Sequence, residues 1–212
     1  MPLTPMVALK AASCLAVIAI VAATRISTGN HPHATFGAAN YVTSARAALV
    51  ALVAGFVGER GDVAVAATAA SLATAVTVLD GLDGWLARRS RMPSAFGARF
   101  DMEVDALLIL ALSMLAWTND KAGAWVVASG LLRYLFVVAG WIWPWMDRPL
   151  LPSRRRQTVC VIQIIALIAV VTPLVTPPLS TVIAAAALAV LVASFAVDTS
   201  WLIERRRQPV SA

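Results

Sequence analysis

The chain has 212 residues, 60% of them hydrophobic and only 13% charged, with a mean hydropathy of +0.80. A soluble domain is nearer half apolar and a quarter charged, so this composition excludes an ordinary soluble protein and points to a single integral membrane domain. The net charge of +6 would suit nucleic acid, but the arginines gather at the ends of apolar segments, where they set topology and meet lipid headgroups; no nucleic-acid partner is expected.

The apolar runs are continuous and rich in Ala, Leu and Val rather than alternating. That pattern predicts an all-α membrane protein with no strands. Cys14 and Cys160 both fall inside apolar runs and read as free thiols, with no disulfide or zinc spacing.

Residues 6–24 are apolar apart from Lys10, just long enough to span a bilayer. A cleaved signal peptide or an interfacial helix would also fit such a run. The segment lacks a broad polar face, so an extra membrane helix is the preferred reading. Lys10 and Arg25 flank it on both sides and leave its orientation open. Residues 25–39 form a polar loop. His31 and His33 within it have no carboxylate or Cys nearby and read as solvated side chains rather than metal ligands.

Asn40 is an expected N-cap for a first core helix running to about Val57. Arg46 inside it either snorkels to the interface or pairs with a carboxylate such as Glu103. After the polar turn at Glu59–Asp62, residues 63–86 form the second core helix. Pro93 and Gly97 mark a turn, and the third core helix is expected over 97–117. Residues 123–145 form the fourth, with Arg133 near its middle. That arginine either faces a polar cavity or pairs with Glu103. The five tryptophans from Trp117 to Trp145 read mostly as interface anchors. The fifth helix follows Arg154–Arg156 and runs to about Val171. Pro173, Pro177 and Pro178 break the chain, and the sixth spans about 179–203. The expected organisation is an N-terminal apolar segment and loop over 1–39, a six-helix membrane domain over 40–207, and a tail over 208–212.

The second and third helices carry the chemistry. Asp80 and Asp83 are spaced i, i+3, and Asp101 and Asp105 i, i+4, so each pair lies on one helix face. Asp80, Gly84 and Arg88 form one stripe, and Gly97, Asp101 and Asp105 a second. Carboxylates at membrane depth are costly and mark a site. If the stripes face each other, four carboxylates converge and repel one another unless hard cations sit among them; all-oxygen ligation suits Mg²⁺ or Mn²⁺. Two such ions would grip a diphosphate and stabilise the attacking and leaving oxygens of an in-line displacement. Gly84 and Gly97 allow close approach of a ligand. Arg88, about 12 Å along the axis from Asp80, would hold the far end of a diphosphate or nucleotide.

The stretch resembles the signature of the CDP-alcohol phosphotransferase family, D-x2-D-G-x2-A-R-x8-G-x3-D-x3-D. Asp80, Asp83, Gly84, Ala87, Arg88, Gly97, Asp101 and Asp105 match it without a gap. The Asn40-x-x-Thr43-x-x-Arg46 pattern is also similar to the start of that family's first core helix. The resemblance implies a CDP-activated lipid or alcohol attacked by a hydroxyl, with release of CMP. It implies that Asp80, Asp83 and Asp101 are metal ligands, and that Asp105 is the general base beside the second ion. It implies that Gly84, Ala87 and Arg88 contact the cytidine diphosphate, with Ser94 and Gly97 as further contacts, and it allows a homodimer. CDP-diacylglycerol would be the donor. Arg133, Arg154, Arg155 and Arg156 would grip an anionic acceptor such as glycerol 3-phosphate or an inositol phosphate, with serine or a second lipid still open. In phosphatidylglycerophosphate synthases a basic residue and a Thr precede a Gln at the fifth helix; here Thr158 and Gln163 are spaced differently.

Two readings from other classes stand beside this one. A divalent-cation transporter needs a polar path through the membrane, whereas the acidic residues cluster at one depth. A non-catalytic scaffold would have lost a catalytic aspartate, and all four are present. Arg88, Arg89, Arg91, Arg148, Arg154–Arg156 and Arg205–Arg207 fall on one side, against Arg60 and Lys121 on the other. Positive-inside logic then predicts a bacterial inner-membrane protein whose aspartates open to the cytoplasm.

Overall fold

The computed structural model describes the backbone of residues 4–27, 38–90, 95–146, 150 and 153–207, and the side chains of residues 4–20, 42–81, 97, 99–146, 150 and 153–206. Among the described residues the chain is helical, with no strand. The α-helices are α1 (Pro5–Ser27), α2 (Ala38–Gly55), α3 (Val63–Ser90), α4 (Ala95–Thr118), α5 (Ala128–Ile142), α6 (Arg154–Val171) and α7 (Leu179–Arg207). Among the described residues, three helical segments are long and apolar enough to cross a membrane: Val63–Gly81, Ala124–Ile142 and Leu179–Arg206. α4 and α6 carry more charge, α4 through Arg99, Asp101, Glu103 and Asp105 and α6 through its three leading arginines.

Several boundaries differ from the expected ones for local reasons. α2 begins at Ala38, so Asn40 lies inside its first turn rather than at its cap; Ala38 and Ala39 are strong helix formers and extend the helix backwards. α3 continues to Ser90, which makes Asp80 and Asp83 part of a continuous helix and not its end. The expected fourth helix is divided into a 3₁₀ turn at Ala124–Val127, α5, and a second 3₁₀ turn at Pro144–Met146. Pro144 is the cause of the second break: the residue before a proline is pushed out of the helical region, and Trp143 is extended at φ −119°, ψ 94°.

α3 starts with a cap that the sequence read only as a polar turn. The Asp62 carboxylate accepts from the backbone N–H of Ala64 at 2.8 Å and of Val65 at 3.4 Å, covering two donors that have no intrahelical partner. Along α3, Thr68, Ser71, Thr74 and Thr77 each donate to the carbonyl four residues back. Their hydroxyls therefore need no water, as an apolar surround requires.

The core sits where α2, α3, α4 and α6 meet. Val50 and Val53 from α2, Ala69, Ala73 and Val76 from α3, Leu108, Leu112 and Leu115 from α4, and Leu167 and Val170 from α6 are all buried there. By contrast Leu9, Ile20, Leu135, Trp141, Ile142 and Val182 are exposed, the apolar outside expected of helices whose solvent is lipid.

α1 runs antiparallel to α2. Lys10 near its start donates to the Val57 carbonyl at 2.9 Å and reaches Glu59 at 3.4 Å, just beyond the end of α2. The two helices touch closely: a Cβ at Gly55 would lie 2.8 Å from the Val7 carbonyl oxygen. At the same end of the molecule, Lys121 donates to the carbonyls of Val175 at 2.6 Å and Thr172 at 3.3 Å, while Ser180 donates to the Lys121 carbonyl at 2.6 Å. These bonds tie the α4–α5 turn to the proline-rich break between α6 and α7.

α4 and α5 also approach through a glycine. A Cβ at Gly130 would lie 2.7 Å from Cβ of Leu110, and both atoms belong to packed helices that cannot swing away. Gly130→Val should destabilise the protein by about 1–3 kcal/mol through overpacking, read as a lower unfolding midpoint in detergent or nanodiscs.

Candidate functional site

The carboxylate end of the bundle is built from three helices. Asp80 comes from α3, Asp101 and Asp105 from successive turns of α4, and Arg46 from α2. One carboxylate oxygen from each of the three aspartates lies within 4.8 Å of the others. Asp80 of the first stripe therefore lies beside Asp101 and Asp105 of the second. Asp83, Gly84, Ala87 and Arg88 lie on the helical backbone of α3, but their side chains fall outside the described residues, and so does the whole of Ser94. Gly97 sits in the first turn of α4, one turn before Asp101.

Arg46 is the centre of the cluster. Its side chain is 0% exposed, and its guanidinium reaches Asp80 at 2.8 Å and Asp105 at 2.6 Å and also pairs with Asp101. A buried guanidinium is stable only when paired and hydrogen-bonded, and the planar fork suits several carboxylates at once. The sequence allowed Arg46 to snorkel or to pair with a carboxylate such as Glu103. The structure shows the pairing, with Asp80, Asp101 and Asp105 as the partners and Glu103 paired instead with Arg133. Cys160 of α6 closes the ring, its Sγ lying 3.9 Å from Asp105 Oδ2.

The donor set fits hard divalent cations. It consists of carboxylate oxygens, clustered at coordination range of a common centre, with three negative charges facing one positive guanidinium. All-oxygen sites of this kind suit Mg²⁺ or Mn²⁺ rather than softer metals.

Arg133, Arg155 and Arg156 are engaged elsewhere. Arg133 pairs with Glu103 at 2.5 Å, linking α5 to α4; of its two sequence readings, the structure shows the ion pair. Arg155 donates to the Ser194 carbonyl at 2.7 Å, to its hydroxyl at 3.0 Å and to Asp198 at 2.5 Å. Arg156 reaches the same Asp198 carboxylate at 3.5 Å. Arg154 is exposed at the head of α6. Sequence reasoning missed Asp198, whose partners lie some forty residues earlier in the chain. Gln163, singled out in the sequence only for its spacing, is fully buried with neither amide atom hydrogen-bonded among the described residues.

The family model for CDP-alcohol phosphatidyltransferase matches residues 36–196. No curated protein and no solved structure matches the chain. The matched region runs from just before α2 into α7, contains Arg46 and the three clustered aspartates, and leaves α1 outside. With more than half of its length matched, and with three aspartates of the signature converging in space, the chain is an integral membrane protein that belongs to the CDP-alcohol phosphatidyltransferase family.

Proposed function

We propose that this chain transfers a phosphatidyl group from CDP-diacylglycerol to an acceptor hydroxyl, releasing CMP, with Mg²⁺ or Mn²⁺ at a two-ion site. The observation that carries this reading is the convergence of Asp80, Asp101 and Asp105 within one coordination sphere, in a chain of this family. α2 to α7 serve as six core membrane helices and α1 as an additional one.

Asp80, Asp83, Asp101 and Asp105 would hold the ions. Bound there, the ions neutralise the diphosphate and the charge that develops on its oxygens. Gly84, Ala87, Arg88, Ser94 and Gly97 hold the cytidine diphosphate, the glycines by leaving room and Arg88 by charge. Asp105 accepts the proton of the acceptor hydroxyl. That oxygen forms a bond to the lipid-side phosphorus, the bond from this phosphorus to the bridging oxygen breaks, and CMP leaves with that oxygen.

The arginine-rich ends support a site at the cytoplasmic face of a membrane, the bacterial inner membrane in this reading. A phosphorylated polyol such as glycerol 3-phosphate is the favoured acceptor, because Arg154, Arg155 and Arg156 head α6 on the side of the aspartates. Arg155 and Arg156 share Asp198, so gripping an anion requires them to loosen that pair. An inositol phosphate and serine are the competing acceptors. Incubating purified protein with CDP-diacylglycerol and each acceptor, and identifying the lipid product by mass spectrometry, decides among them; no new phospholipid with any acceptor would overturn the reading. Chelation with EDTA should reduce product to background, and added Mg²⁺ or Mn²⁺ should restore it. Full activity after exhaustive chelation would contradict the metal site.

A further inference from the structure

Arg46 is not one of the signature aspartates' neighbours in sequence, yet it is the side chain that all three described carboxylates share. It is wholly buried and bonded to one oxygen each of Asp80, Asp101 and Asp105. Those aspartates are also the ones whose ligand atoms lie within 4.8 Å of one another. The guanidinium and a cation at the cluster therefore draw on the same carboxylates.

We infer that Arg46 is a resident counter-cation: it keeps the carboxylate cluster assembled when no metal is bound and lowers the site's affinity for divalent cations by competing for its oxygens. This rests on the metal-site reading above. Three carboxylates packed this closely inside a low-dielectric bundle repel one another strongly, and one guanidinium supplies the charge and the bond directions that hold them in place. The same charge opposes a divalent ion placed among the same oxygens. Arg46 is wholly buried on α2, so its effect on the ion persists unless its bonds to the carboxylates are rearranged. It is a positioning residue that acts on the ligands, and it sets how readily the site loads.

The test is Mn²⁺ binding to the purified full-length protein in nanodiscs without nucleotide, followed by the electron paramagnetic resonance signal of free Mn²⁺. Arg46→Gln removes the charge and should tighten Mn²⁺ binding at least tenfold. Arg46→Lys keeps a charge but lacks the fork that reaches three carboxylates, and should tighten it about threefold. A merely structural Arg46 predicts the opposite, because both variants would then distort the ligands and bind Mn²⁺ more weakly. If Arg46→Gln fails to fold, Arg46→Lys decides alone: tighter binding than the parent supports the inference, and equal or weaker binding overturns it. A parent protein that binds no Mn²⁺ defeats the metal-site reading itself, whereas a parent that binds and variants that bind no tighter defeat only the role given to Arg46.

Discussion

Asp105→Asn should lower CMP release by about a hundredfold or more, the range in which removal of a positioned general base falls. The substitution keeps size and shape but removes the group that takes the acceptor proton. It also removes a negative charge from the cluster: the amide oxygen can still accept from Arg46, as the Asp105 carboxylate does at 2.6 Å, but the second oxygen becomes an NH2 donor. Steady-state kinetics with saturating donor would show the loss in kcat. Because Asp105 lies in the middle of four packed helices, the melting point of the variant should be measured beside its activity. A folded Asp105→Asn protein with activity within tenfold of the parent would reassign the base.

Arg46→Leu should cost about 3–5 kcal/mol of stability in metal-free protein, the range for breaking a buried ion pair by removing one partner. The cost comes less from the lost bonds than from what stays behind. Asp80, Asp101 and Asp105 would face one another without the guanidinium that now joins them. Denaturation in nanodiscs with EDTA measures the loss. Mg²⁺ should recover part of it, because a ligand that binds only the folded state stabilises that state by mass action. A loss below about 1 kcal/mol, the size of an exposed ion pair, would mean that the arginine contributes little to holding the carboxylates.

The Asp101–Asp105 pair was legible in the sequence because helical spacing alone decides which residues share a face. The structure adds that Asp80 of α3 and Asp101 and Asp105 of α4 converge on Arg46 of α2. Arg46 was not assignable in the same way. An arginine inside an apolar run can extend to the interface or turn inward, and only the packing of α2 against α3 and α4 chooses. Arg133 and Glu103 were legible as one of two options, and the structure shows their ion pair. Arg155 and Asp198 were not, because the pair joins helices whose relative rotation no local pattern encodes. The division at Pro144 could have been read from the proline itself, whose effect on the preceding residue is local. The orientation of α1 could not, since the contact of Lys10 with Val57 and Glu59 depends on how the first two helices pair.

The most direct test of the central claim is CMP release by purified protein in nanodiscs containing CDP-diacylglycerol, with Mg²⁺ or Mn²⁺, in the presence and absence of acceptor alcohols. The account predicts metal-dependent CMP release that requires an acceptor and is matched one for one by new phospholipid. Failure to bind the nucleotide or to release CMP with any acceptor, in protein shown to be folded, would contradict it.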